Sequence, residues 1–133
     1  MRLECVESGH DPAEAHVLEL IRTQALLERL LPAPPAAIAD VGGGAGIHAA
    51  PLVARGYEVH LVDPVAGHVE QAAGLGLASA LVGDARELPF EDERFDAVLL
   101  LGPLYHLHER ADRVAALAEA RRVVKPGGLV AGP

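Results

Sequence analysis

Apolar positions along the chain follow two spacings, and the two alternate. An N-terminal stretch with apolar residues three and four apart predicts a helix that begins after Asp11, has Pro12 in its first turn and ends before Pro32. From Ala36 onward, short continuous apolar runs, which are typical of buried strands, alternate with stretches of helical spacing. The runs predict five strands, at residues 36–41, 57–63, 79–84, 95–101 and 129–132, and the stretches between them predict helices at 47–55, 64–73 and 108–124.

The predicted strands are apolar on both faces, which is typical of a parallel sheet covered by helices on both sides. Right-handed crossovers then predict a doubly wound, Rossmann-like α/β sheet. We expect two regions, an N-terminal helix with a proline-rich link at residues 1–35 and the Rossmann-like domain at residues 36–133. The sequence KPGG should form the turn before the fifth strand. Because that strand starts close to Pro133, the fold is expected to be incomplete there, and either further chain or a second copy of the protein should cover the sheet edge.

Composition narrows the class of partner. The formal net charge of −8 argues against nucleic acid or an anionic membrane as a partner, since both would require a basic face. A single cysteine, Cys5, leaves no internal disulfide and suits a reducing compartment. The first residues lack the apolar region of a secretory signal, and no apolar run reaches the roughly 20 residues of a membrane span. We therefore expect a cytoplasmic protein.

A glycine-rich sequence, DVGGGAG, follows the first predicted strand. In a doubly wound sheet ligands bind at the carboxyl ends of strands, and glycine lets a ligand approach the backbone closely. Residues 44–49 satisfy the dinucleotide pattern G-x-G-x-x-A. Asp40, Gly42, Gly44 and Gly46 satisfy a second pattern, acid-x-Gly-x-Gly-x-Gly. Glycine spacing alone leaves both patterns open.

Asp63 ends the second predicted strand, where a carboxylate can accept hydrogen bonds from both hydroxyls of a ribose. This position fits both glycine patterns, so nucleoside binding is their shared prediction. No Lys or Arg lies between Leu30 and Arg55, which fits poorly with a site for a pyrophosphate or a 2′-phosphate.

The later strands carry more specific motifs. GDARELPFEDERFDAV joins the third strand to the fourth, and RRVVKPGG precedes the fifth. Together with DVGGGAG and VDP, this order resembles the class I S-adenosylmethionine-dependent methyltransferases, in their small-molecule, methyltransferase type 11-like branch. The resemblance runs from about residue 31 to the end. It implies methyl transfer from S-adenosylmethionine to a small molecule, with S-adenosylhomocysteine as product, and two further strands after the fifth.

The resemblance also implies how the methionine part of the cofactor would be held. In this family the glycine loop accommodates that part, so the three motif glycines named above would line it, with Asp40 near the amino group. Leu101 and Gly102, at the end of the fourth strand, would offer carbonyls to the ammonium. Gly43 stands where the family often has cysteine or serine, a departure that we expect to be harmless.

For the nucleoside part, the resemblance implies that Asp63 holds the ribose diol. Asp84 would accept a hydrogen bond from the adenine amino group, and the backbone N–H of Ala85 would face the ring. These roles suit a cationic ligand that carries no phosphate.

Methyl transfer is an in-line displacement at a carbon that the sulfonium already activates, so the enzyme mainly aligns and desolvates the reactants. Tyr105 and His106 follow the fourth strand and are the candidates for a base, which is needed only if the acceptor must lose a proton. A role in a lid is the alternative for both. The seven histidines are scattered, and no cysteine or glutamate completes a metal-binding set, so no metal site is predicted.

Two other functions remain open from the sequence. One is an NAD(P)-dependent oxidoreductase, which the dinucleotide pattern allows. The other is a cofactor-binding module without activity, which the early end of the fold suggests.

Overall fold

A computed structural model of the protein describes residues 12–102 and 107–132. The chain divides into two compact units, Met1–Leu30 and Leu31–Pro133. The first contains helix α1, Pro12–Leu30, with an acidic residue, Glu14, in its first turn and a basic one, Arg29, in its last, as the helix dipole favours. The predicted cap residue Asp11 lies outside the described residues. Of the described helices, none is long and apolar enough to cross a membrane.

The second unit is a five-stranded sheet in which every neighbouring pair of strands is parallel. The strand order is β3-β2-β1-β4-β5, so the predicted doubly wound fold is confirmed. The elements in chain order are β1 Ala37–Val41, α2 Ala49–Ala54, β2 Glu58–Asp63, α3 Ala66–Ala72, a 3₁₀ turn Ala73–Leu75, β3 Ser79–Val82, β4 Phe95–Leu99, α4 Arg110–Val123 and β5 Val124–Ala131.

The core lies along β2, β1 and β4, the three strands with neighbours on both sides. Ile38 in β1 and Val98 in β4 have no exposed surface. Phe95 at the start of β4 is equally buried and meets Phe90 edge to face, with ring centroids 4.8 Å apart. Each fully buried side chain of this size contributes about 1.5–3 kcal/mol to folding, so continuous burial explains why these strands appear in the sequence as unbroken apolar runs.

The chain reverses its direction of travel across the sheet at β1. It leaves β1 outward to β2 and β3, and then returns to pair β4 with the opposite side of β1. In such sheets a crevice opens beside this reversal, at the carboxyl ends of the strands. The glycine loop, residues 42–46, follows β1 directly and therefore lies at that crevice.

Strand β5 differs from the sequence prediction, which began it at Leu129 after a KPGG turn. The strand begins at Val124, immediately after α4, and contains KPGG. Phe95 pairs with Val124 and Ala97 with Leu129, so one residue of β4 lies opposite the four residues of KPGG. The motif is thus a bulge inside the strand. Because α4 ends at Val123 and β5 begins at Val124, the motif falls inside the strand rather than before it.

Gly128 in this bulge has no room for a side chain. A Cβ built there would lie 2.8 Å from the carbonyl oxygen of Asp96 and 2.6 Å from a methyl group of Val124. We expect Gly128→Ala to lower the free energy of unfolding by about 1–3 kcal/mol, the usual cost of overpacking. Urea denaturation measures the effect.

Gly67→Ala is the matched control, because a Cβ on this glycine of α3 meets no atom within 4 Å. It should be neutral or stabilise the protein by up to about 1 kcal/mol, since alanine favours helix. Equal stability of the Gly128 and Gly67 variants would contradict the account of the bulge.

Candidate functional site

A cavity of about 440 Å³ opens at the carboxyl ends of the first three strands. This volume lies within the usual range for small-molecule sites. Its lining comes from the glycine loop, the segment after β2, the segment after β3 and one residue before α4. The lining residues are Gly42, Gly44, Asp63, Pro64, Val65, His68, Gly83, Asp84, Ala85, Arg86 and Leu107.

Five residues predicted from the sequence as cofactor contacts line this cavity, namely Gly42, Gly44, Asp63, Asp84 and Ala85. They come from three separate stretches of chain, which the order of the sheet brings together. Their roles toward a ligand stay predictions, since placement alone does not test them.

The glycine loop is held in a conformation that side chains disfavour. Gly42, Gly44 and Gly46 have φ values of 69°, 59° and 95°, in the region where glycine is strongly preferred. The Gly42 N–H donates to the carbonyl of Val62 at 2.7 Å, which ties the loop to β2. A Cβ on Gly44 would meet no atom within 4 Å, so the loop surface at Gly44 is open to the cavity.

Gly46 has a different setting, because a Cβ there would collide with the side chain of Leu75. It is not among the residues that line the cavity. Glycine is required at position 46 because the loop packs closely against Leu75 of the 3₁₀ turn.

Asp40 lies under the loop and is 2 % exposed. Its Oδ2 has no hydrogen-bond partner among the residues that the structure describes. Burial, and secondarily the charge of Asp63, raises the pKa of Asp40 to about 7. A Cβ on Gly43 would lie 2.5 Å from this oxygen, so glycine at that position leaves room for the carboxyl.

Asp63 is 5 % exposed and joins three parts of the site. Its Oδ1 accepts the N–H of Gly44 at 3.0 Å, and its Oδ2 accepts the N–H of Val65 at 3.0 Å. Nδ1 of His68 lies 3.1 Å from the same Oδ2. A carboxylate offers about four acceptor positions, so Oδ1 keeps one for a ligand.

Asp84 is paired with a residue that the sequence reasoning missed, Arg86. The Arg86 backbone N–H donates to Oδ1 at 2.8 Å, its Nε donates to the same oxygen at 2.9 Å, and its Nη2 donates to Oδ2. The side-chain hydrogen bonds, and then the backbone one, hold the pKa of Asp84 below its usual range. Arg86 also donates from Nη1 to Asp112 of α4 at 3.1 Å. The Asp-x-Arg spacing in the sequence could have indicated the pair of Asp84 and Arg86, but nothing in the sequence indicated the pair of Arg86 and Asp112.

The predicted residues after β4 are placed only in part. Leu101 and Gly102 are half-buried and do not line the cavity, although a Cβ on Gly102 would come within 3.1 Å of the Gly42 carbonyl oxygen. Tyr105 and His106 lie outside the described residues. Within residues 12–102 and 107–132, no three His, Cys, Asp or Glu side chains lie close enough together to hold a metal ion.

Fold and site together define a Rossmann-like α/β domain. Its cavity is lined by two carboxylates, Asp63 and Asp84, and lies at the point where the strand order reverses. The profile of one family, described as methyltransferase domain, matches residues 39–132. The chain belongs to this family, the class I S-adenosylmethionine-dependent methyltransferases, as the motifs predicted.

Relatives in several organisms agree with this assignment. The chain is 36 % identical over 103 residues to an uncharacterized methyltransferase of Mycobacterium tuberculosis, covering 77 % of this chain and 41 % of that protein. It is 37 % identical over 97 residues to the human probable tRNA methyltransferase 9B, covering 71 % of this chain and 20 % of the relative. The chain therefore spans less than half the length of either relative.

A solved structure shows the same fold. The crystal structure of an S-adenosylmethionine-dependent methyltransferase from Thermotoga maritima, described as a possible histamine N-methyltransferase, superposes with a TM-score of 0.68 at 30 % identity. The match covers 84 % of this chain and 50 % of that one.

Asp40 should make stability fall as pH rises toward neutrality. Its folded pKa of about 7 exceeds the ordinary value of 3.8, so between these limits the folded state holds a proton that the unfolded state has lost. Relative to Asp40→Asn, we expect the free energy of unfolding of the wild type to fall on the order of 2 kcal/mol from about pH 5 to about pH 7.

Urea denaturation across that range measures the difference, and Glu70→Gln on the exposed face of α3 is the control. Parallel pH profiles for the wild type and Asp40→Asn would show that Asp40 does not titrate as described.

Proposed function

We propose that this chain binds S-adenosylmethionine in the cavity and transfers its methyl group to a small-molecule acceptor, releasing S-adenosylhomocysteine. The observation that carries the proposal is the meeting of Gly44, Asp63 and Asp84 around one cavity. These residues supply an open backbone surface, a buried carboxylate and a half-exposed carboxylate, in the order of the strands that carry them.

The cofactor's chemistry fits the charges of the site. S-adenosylmethionine carries an ammonium and a sulfonium but no phosphate. The buried carboxyl of Asp40, whose Oδ2 has no partner among the described residues, lies under the loop that would receive the methionine part. The absence of Lys and Arg between Leu30 and Arg55 suits a ligand without phosphate.

Two of the proposed contacts rest on features of this chain that the structure describes. The open face of Gly44 allows the ligand to approach the backbone, and the remaining acceptor position on Asp63 suits a ribose hydroxyl. Asp84 and the N–H of Ala85 would face the adenine, and the carbonyls of Leu101 and Gly102 would face the ammonium. Asp40 would orient the amino group directly or through water.

The bound cofactor supplies an activated methyl group, and the chain supplies alignment and exclusion of water. Leu107 contributes an apolar wall to the cavity. Arg113 of α4 donates to the carbonyls of Leu107 and His108 at 3.0 and 2.7 Å, which fixes the segment that follows the candidate bases Tyr105 and His106. A base role for either residue stays a prediction.

A small molecule is the acceptor class that the net charge of −8 favours, because nucleic acid would be repelled. The names of the relatives include both a tRNA methyltransferase and a possible histamine N-methyltransferase, so they do not select one acceptor. Three expectations stay predictions: the protein binds no nucleic acid, a second copy covers the edge of β5, and the protein is cytoplasmic.

Ligand binding separates the proposed function from an oxidoreductase. Isothermal titration calorimetry should detect S-adenosylhomocysteine binding in the micromolar range and no binding of NAD. The expectation rests on two features of the site. Asp63 and Asp84 offer carboxylates for the ribose and the base, and the glycine loop, residues 42–46, contains no basic residue. Binding of NAD without S-adenosylhomocysteine would overturn it.

Turnover tests the remaining alternative, a module without activity. Transfer of labelled methyl groups to a panel of small amines, phenols and thiols, but not to tRNA, supports the proposal. Cofactor binding with no transfer, by this chain and by a longer version of it, would favour the inactive module.

Asp63→Ala should weaken S-adenosylhomocysteine binding at least tenfold, since each charge-assisted hydrogen bond is worth about 1.5–3 kcal/mol. The selectivity for ribose is the sharper readout. Wild type should prefer S-adenosylhomocysteine to its 2′-deoxy analogue, and the variant should bind both alike.

Asp92→Ala, which removes an exposed carboxylate paired with Arg122, is the control and should change neither affinity. If Asp63→Ala weakened both ligands equally and kept the preference for ribose, Asp63 would have a structural role only.

A further inference from the structure

Most acceptor positions of Asp84 are occupied by its own neighbour, Arg86. Three N–H donors reach its two oxygens: the Arg86 backbone N–H on Oδ1, Nε shared between Oδ1 and Oδ2 at 2.9 and 3.1 Å, and Nη2 on Oδ2. A carboxylate has about four such positions. Two of the three donors belong to the guanidinium, which therefore competes with the amino group of a base for this carboxylate.

Arg86 binds a second carboxylate at the same time. Its Nη1 donates to Oδ1 of Asp112, in the first turn of α4, at 3.1 Å. The side chains of Arg86, Asp84 and Asp112 are 44 %, 45 % and 34 % exposed, and Arg86 lines the cavity. Ion pairs this exposed are worth little, so a shift of the guanidinium from one carboxylate to the other costs little.

We propose that Arg86 determines base selectivity in this cavity by moving between Asp84 and Asp112. The inference rests on the proposed function and extends it to a residue that neither the motifs nor the relatives assign. When the guanidinium of Arg86 keeps Asp112 and releases Asp84, the side chain of Asp84 can accept from a 6-amino group. When Arg86 stays on Asp84, the cavity presents a cation and N–H donors instead.

The two states favour different bases. Adenine carries a 6-amino donor and therefore needs the free carboxylate. Hypoxanthine carries a 6-oxo acceptor at the same place, and the guanidinium of Arg86 can donate a hydrogen bond to it. Removing Arg86 should thus strengthen binding of the adenine ligand and weaken binding of the hypoxanthine ligand. Removing the carboxylate of Asp112 should do the reverse, because Arg86 then keeps only Asp84.

The experiment measures the affinities of S-adenosylhomocysteine and S-inosylhomocysteine by calorimetry. The proteins are wild type, Arg86→Ala, Asp112→Asn and the double variant. Arg121→Ala, which removes an exposed arginine from the last turn of α4, is the matched control. Thermal unfolding of each variant verifies that the fold is retained.

We expect Arg86→Ala to bind S-adenosylhomocysteine about threefold more tightly and Asp112→Asn to bind it about threefold more weakly, the range set by exposed ion pairs. The double variant should match Arg86→Ala, because Asp112 acts only through Arg86. The preference for the adenine over the hypoxanthine ligand should widen in Arg86→Ala.

Unchanged or weaker adenine binding in Arg86→Ala would overturn the inference, and so would an Asp112→Asn effect that persists without Arg86. A wild type that binds neither ligand would instead overturn the proposed function, and this inference with it. The first measurement on wild type therefore distinguishes the two failures.

Discussion

The hydrogen bonds to the Asp63 carboxylate are the interaction on which the geometry of the site depends. One oxygen accepts from Gly44 in the loop after β1, and the other accepts from Val65 at the entry to α3. Because Asp63 is buried at the end of β2, two connections that are far apart in the sequence are fixed to one strand end. Both connections line the cavity together with Asp63, and Oδ1 of this carboxylate keeps one acceptor position there.

A second carboxyl, Asp40, is buried close enough to Asp63 for their charges to interact. The raised pKa of Asp40 follows mainly from its own burial, which disfavours the charged form, and the charge of Asp63 adds to the effect. Glycine at position 43 makes room for that carboxyl under the loop. A cationic ligand in the cavity would relieve the repulsion. Among the residues that the structure describes, Asp84 is paired with Arg86 and Asp63 lies 3.1 Å from His68, whereas Oδ2 of Asp40 has no partner.

The doubly wound parallel sheet and the position of the cavity were predictable because they follow from unbroken apolar runs that alternate with helical spacing and from glycines directly behind a strand. The bulge in β5 was not, because KPGG resembles a turn until its pairing with β4 is known. The contact between Arg86 and Asp112 was equally hidden, since it joins residues 26 positions apart. The raised pKa of Asp40 required knowledge of its burial, which sequence does not provide for a single acid.

The central claim is that the loop after β1 and the ends of β2 and β3 form one nucleoside site. Nuclear magnetic resonance of the ¹⁵N-labelled chain during titration with S-adenosylhomocysteine tests it most directly. The amide signals of Gly42, Gly44, Val65 and Ala85 should move together along one saturating curve. Shifts confined to Lys125–Gly128, or no shifts at saturating ligand, would contradict the account.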